Sequence, residues 1–186
     1  DPFEDNYNLP ILERMGALSS LAMICGYKRL IGIASRTRIP LEEALEGIIE
    51  GKLTLANRLW GSGTRILLET LLIQWAKKKH ENIQELRNKI KGYTREVETH
   101  IEAASLVAGG KADLCITIKP VAKLYNLHFT PIKWEHFDFV VPKERLERKL
   151  VKLFIDVLKS KWLRDLIEDM EGYESKECLG LILNED

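Results

Sequence analysis

The segment Asn57-Arg58-Leu59-Trp60-Gly61-Ser62-Gly63-Thr64-Arg65 gathers the groups needed to hold a small anionic or polar ligand. Gly61 and Gly63 flank Ser62 between an apolar run and a helical pattern, so backbone N–H groups there point outward with no Cβ to block an approaching ligand. Ser62 and Thr64 add hydroxyls, and Arg65 adds a permanent charge with planar donor geometry, reinforced by Arg58 on the other side of the turn. The same residues also admit a purely structural use, in which Ser62 caps the helix and Arg65 pairs with a surface carboxylate. The spacing excludes a Walker loop, a dinucleotide Gly-x-Gly-x-x-Gly and the Gly-x-Ser-x-Gly nucleophile elbow.

Thr99-His100, after Gly92-Tyr93, marks a second helix start, and two such starts in one α/β lobe can face the same crevice. His100 there either donates a hydrogen bond to ligand or serves as an ordinary capping or packing residue. Trp134-Glu135-His136-Phe137-Asp138 supplies carboxylates and an imidazole between two expected strands, as a cleft lining or as the solvated edge of a crossover. No nucleophile accompanies them, so no catalytic residue is assigned and the chain reads as a non-enzyme. The dispersed histidines, with no His-x-x-x-His spacing, give no metal site, and no cofactor is implied.

The elements that must position these residues follow from the hydrophobic pattern. Leu18 to Ser35 reads as two strands or one long bent strand, Pro40 opens a short helix ending at Gly51, and Leu53 to Ala56 forms a buried strand. A helix over about 62–79 follows, its final Lys77 to His80 suiting the negative end of the helix dipole. A polar surface helix over 81–91 and a helix from Thr99 to Gly109-Gly110 come next. Strands over 114–118, 129–132 and 137–141, a short helix over 120–125 and two closing amphipathic helices over 143–159 and 161–170 complete the chain. Strands alternating with helices predict an α/β layer fold with a largely parallel sheet.

With 186 residues and 45% hydrophobic content the chain can bury a substantial core. Lys plus Arg and Asp plus Glu each number 28, so no net field favours nucleic acid or an anionic membrane, and any anion recognition must be local. The longest apolar stretches are too short to span a bilayer, which predicts a soluble protein. Cys25, Cys115 and Cys178, odd in number and widely spaced, suit reduced thiols better than a disulfide framework, and this is the argument for a cytoplasmic location. The chain starts Asp1-Pro2-Phe3 without methionine, so the absence of a signal peptide carries little weight.

Taken in order, Tyr7-Asn8-Leu9-Pro10, Asn57-Arg58, Gly61 to Arg65, Gly92-Tyr93, Glu96, Thr99-His100, Gly110-Lys111-Ala112-Asp113 and Glu135-His136-Phe137-Asp138 form a series. It resembles the periplasmic-binding-protein-like domain found in cytoplasmic regulators and fused to molybdopterin-biosynthesis proteins. The resemblance implies a type 2 periplasmic-binding-protein fold, with one near-complete α/β lobe over about 30–138. Residues 1–29 and 139–186 would supply the hinge and the closing helices of a second, N-terminally incomplete lobe, leaving apolar surface uncovered. Ser62, Gly63, Thr64 and Arg65 would contact ligand, with Thr99 and His100 beside them and Tyr93 and Glu135 as further candidates. The implied function is binding or sensing of a small oxyanion of the molybdate or tungstate class, or of a molybdenum-cofactor-related ligand, by lobe closure. The alternative is a non-catalytic interaction module in molybdenum-cofactor biosynthesis or its transcriptional regulation. Expected partners are a small anionic ligand, a fused or associated regulator or molybdenum-cofactor enzyme, and a second copy of the chain, without nucleic acid or membrane. Leu59-Trp60 and Cys115-Ile116-Thr117 depart from the family pattern and would narrow the cleft.

Overall fold

The computed structural model describes residues 8–184, so Tyr7 of the first motif lies outside the described residues. The chain divides into two compact units, 30–133 and a discontinuous unit of 1–29 with 134–186. It passes between them within two long strands, β1 (Leu21–Ser35) and β5 (His128–Pro142).

The continuous unit builds α2 (Leu41–Ile49), β2 (Leu55–Arg58), α3 (Gly63–Lys79), α4 (Ile83–Lys89), β3 (Glu96–Val97), α5 (His100–Ala108), β4 (Leu114–Ile118) and α6 (Lys119–Leu124). The strand β2 runs parallel to β3, pairing Asn57 with Glu96, and parallel to β4, pairing Leu55 with Leu114. Every residue of β4 is buried, as expected of a strand covered on both faces. Leu67, Leu68, Leu71 and Leu72 of α3, Ile48 of α2, Ala103, Ala104 and Val107 of α5 and Leu86 of α4 supply that cover.

The sheet is mixed rather than largely parallel, because β1 pairs with β4 antiparallel, Ile31 opposite Ile118 and Ser35 opposite Leu114. Helical crossovers join β2, β3 and β4 and enforce their common direction, whereas β1 enters from the other unit and needs none. The two strands expected around Trp134 to His136 are likewise one continuous β5. The linking residues, Lys133 to His136, contain no glycine, proline or asparagine to turn the backbone.

The discontinuous unit contains α1 (Asn8–Arg14), α7 (Lys149–Lys159), α8 (Lys161–Asp169), β6 (Tyr173–Glu174) and its shares of β1 and β5. Its smaller core centres on Ile24, Leu158, Ile167 and Leu179. The strand β1 is approached closely here: a Cβ on Gly26 would overlap the Phe137 carbonyl oxygen at 1.9 Å. The outer faces of the closing helices are apolar and exposed, with Leu150, Leu153, Phe154 and Val157 on α7 and Trp162 and Leu166 on α8. Among the described residues no helix is long and apolar enough to cross a membrane.

The expectation of three reduced cysteines is corrected. Cys25 and Cys178 form a disulfide spanning 153 residues, and only Cys115 is free, buried in β4. Their distance in sequence is no obstacle, because the C-terminal segment returns along β1: Cys25 N–H donates to Leu181 O at 2.8 Å, and Gly180 N–H donates to Cys25 O at 2.8 Å. The cysteine argument for a cytoplasmic location therefore no longer rests on these two residues.

Candidate functional site

Because β3, β2 and β4 are parallel, their carboxyl ends share one edge of the sheet, and α5, α3 and α6 begin there. This is the edge at which open α/β sheets bind ligands. At the first helix start, Ser62 Oγ accepts from Arg65 N–H at 3.3 Å and donates to Leu59 O at 2.8 Å, which fixes the turn. The N–H groups of Gly63 and Thr64 open the 17-residue helix and have no intrahelical acceptor.

Thr64 is buried, and among the described residues its Oγ1 has no hydrogen-bond partner. It borders a crevice lined by Asn57, Arg58, Leu68 and Ile116 that is too narrow to hold a water. Solvent thus does not supply the missing bond, and an unsatisfied buried hydroxyl costs about 1–3 kcal/mol. Arg58, on the same crevice, donates through Nη2 to Glu98 O at 2.8 Å.

The second helix start is closed by a capping box. Thr99 Oγ1 accepts from Glu102 N–H at 3.1 Å while the Glu102 carboxylate accepts from Thr99 N–H at 3.1 Å. His100 Nδ1 lies 3.2 Å from Oγ1 of the fully buried Thr117 at the end of β4. Ser62, Gly63, Thr64, Thr99 and His100 therefore stand on one sheet edge, and Thr117 and Asn57 belong beside them. The signal for Thr117 is its place at a strand end just before the Lys119-Pro120 helix start.

Arg65 and Tyr93 have a different setting. Arg65 Nε donates to Glu69 at 2.9 Å and Nη1 to Glu96 at 3.0 Å, while its guanidinium carbon lies 4.3 Å from the Tyr93 ring centroid and 5.1 Å from that of Trp60. Tyr93 donates its hydroxyl to Glu69 at 2.7 Å. Burial, and secondly that hydrogen bond, push the phenol pKa up, so the hydroxyl stays a donor at neutral pH. The carboxylate partner of Arg65 allowed by the sequence is buried rather than on the surface, and the guanidinium's charge is met inside the fold.

Glu135 belongs to the discontinuous unit, where it accepts from Arg29 Nε at 3.1 Å and also from Nη2. Nearby Asp138 accepts from Gly26 N–H at 3.0 Å, Asn8 Nδ2 at 2.8 Å and Lys176 Nζ at 3.0 Å. Burial alone would raise its pKa, but these donors and the Lys176 charge outweigh it and hold the carboxyl below its ordinary value. A depressed folded pKa contributes stability above the unfolded value, and that stability is lost as pH falls through the folded value. Asp138→Asn is therefore expected to cost about 1–3 kcal/mol at pH 7. The deficit should shrink toward pH 2–3, read from urea midpoints across pH.

A family model described as the PBP superfamily domain matches residues 1–159. The chain belongs to this family. Of its relatives, an uncharacterized protein in the 5′ region of the ferredoxin 2Fe-2S gene of Clostridium pasteurianum is 33% identical over 97 residues, covering 52% of this chain and 85% of that protein. The protein YvgK of Bacillus subtilis (strain 168) is 26% identical over 171 residues, 91% of this PBP domain chain, which spans only about half (52%) of YvgK. Among solved structures, PEB3 with L-phospholactate bound superposes with a TM-score of 0.60 at 21% identity, covering 83% of this chain and 68% of PEB3. The periplasmic binding protein P5PA gives 0.58 at 14% identity, covering 93% and 59%. A histidine kinase sensor domain similar to periplasmic binding proteins gives 0.52 at 14% identity, covering 87% and 67%. At these identities the likeness of the PBP domain to solved structures is one of fold, and the fold is that of periplasmic binding proteins. The family is one of ligand-binding domains, and these comparisons do not show the molybdopterin fusion or regulator context implied by the sequence resemblance.

Proposed function

We propose that the PBP domain binds a small anion at the edge where α3 and α5 begin. The observation that carries the reading is the buried Thr64 hydroxyl without a partner, set in the first turn of a long helix and on the same crevice as Arg58. Gly63 and Thr64 N–H groups, the Thr64 hydroxyl and the α3 dipole would donate to an anionic oxygen, with Thr99 and His100 at the neighbouring helix start. The crevice must widen by a shift of that first turn, a change that the bond gained by Thr64 would favour. Two versions of the ligand are kept: an inorganic oxyanion of the molybdate or tungstate class, and a phosphorylated carboxylate such as the L-phospholactate bound by PEB3.

Thr64→Val separates binding from folding. It removes the unsatisfied hydroxyl at nearly constant volume, so the unliganded domain is expected to melt at the same temperature or slightly higher. Calorimetry and thermal shift with molybdate, tungstate, sulfate, phosphate and L-phospholactate should show stabilisation of the natural chain by at least one anion, reduced about tenfold in affinity in Thr64→Val. Failure of every anion, or equal affinity in the variant, overturns the reading.

A further inference from the structure

A second pocket, of about 350 Å³, lies within the continuous unit and is bordered by Trp60, Gln84, Arg87, Asn88, Tyr93 and Thr94. Its size falls in the range of small-molecule sites, about 300–1,000 Å³. Gln84, Arg87 and Asn88 stand at i, i+3 and i+4 on α4, which places them on one helix face. The opposite border is the Gly92 to Thr94 turn, pressed onto β2 so tightly that a Cβ on Gly92 would lie 2.0 Å from the Leu55 carbonyl oxygen. Beneath it, Glu69 accepts from Arg65, Arg87 and Tyr93. The Tyr93 ring and the two guanidinium groups are thereby fixed before any ligand arrives.

The charges of Arg65 and Arg87 are met by Glu69 and Glu96, so neither guanidinium stands as a bare charge for an anion. Besides the paired Arg87 and the apolar Ile90, the border presents two aromatic rings, two side-chain amides and the Thr94 hydroxyl. Amides and hydroxyls both donate and accept, as sugar hydroxyls do, and the indole of Trp60, 67% exposed, is an apolar plate able to carry the C–H face of a pyranose. We propose that this pocket is a second ligand site of the domain, taking a neutral saccharide ring. The proposal does not depend on the anion reading, since no residue of the Thr64 crevice borders this pocket.

The test is NMR titration of the full chain with D-glucose, D-galactose and N-acetyl-D-glucosamine, each to about 50 mM, a range that captures millimolar binding. The Trp60 indole N–H and the Gln84 and Asn88 side-chain amide signals should shift with one of them. Trp60→Ala and Asn88→Ala, both at exposed positions and so expected to keep the folded spectrum, should each weaken binding about fivefold or more, the loss expected from one contact. Adenosine and inorganic phosphate are the comparison ligands. Absence of shifts with all three sugars, shifts with adenosine alone, or unchanged affinity in both variants overturns the proposal.

Discussion

Glu69→Ala is expected to destabilise the domain by about 3–5 kcal/mol, the cost of removing one partner from a buried ionic cluster. Glu69 is 7% exposed, and its carboxylate accepts from Arg65 Nε at 2.9 Å, Arg87 Nε at 3.0 Å and Nη2 at 2.6 Å, and the Tyr93 hydroxyl at 2.7 Å. Its loss leaves Arg65 with the partly exposed Glu96 and takes from Arg87 the carboxylate it bonds. Since α3, α4 and the Gly92 turn are tied to one another through this one side chain, the damage extends beyond a single contact. For a chain of this size the melting temperature should fall by about 6–20 °C. Glu69→Gln keeps volume and one acceptor and should recover only part of the loss. A fall below about 2 °C in Glu69→Ala would show that the cluster contributes little net stability, as fully exposed pairs do.

The Arg65 to Glu69 pair was legible in the sequence in principle, because a helix over 63–79 places positions i and i+4 on one face. Its other members were not, since Arg87 and Tyr93 reach Glu69 from 18 and 24 residues away, through a turn whose path depends on Gly92 packing against β2. The Ser62 cap and the Thr99 to Glu102 capping box depend only on neighbours, and local reading located both helix starts to within about one residue. The strand directions at the two crossings were less accessible. Alternating strands and helices specify parallel neighbours only where a crossover helix joins them, and β1 reaches β4 without one. The role of Thr117 needs the same non-local fact, that the end of β4 lies beside the start of α5.

Cys178→Ser is the variant for which the second large loss is expected. Closing a loop of this length restricts the unfolded chain by about 4–5 kcal/mol in the chain-entropy account, and the pair spans 153 residues. The bond also holds a segment that completes the edge of β1, where Leu183 N–H donates to Met23 O at 2.7 Å, Met23 N–H donates to Asn184 Oδ1 at 2.8 Å, and Leu179 is buried. Those contacts persist without the disulfide, so the segment should loosen locally before the domain unfolds. The effect should therefore appear as a lower global midpoint together with faster amide exchange over 175–184. Thiol titration supplies the independent check. Burial, outweighing the opposing Arg58 charge, pushes the Cys115 thiol pKa up to about 12, so the folded chain should not react with a thiolate-selective reagent. Denaturation without reductant should release one thiol, Cys115, and denaturation with reductant all three. Three reactive thiols without reductant, or an unchanged midpoint in Cys178→Ser, would remove the disulfide from the account of what holds the C-terminal segment to β1.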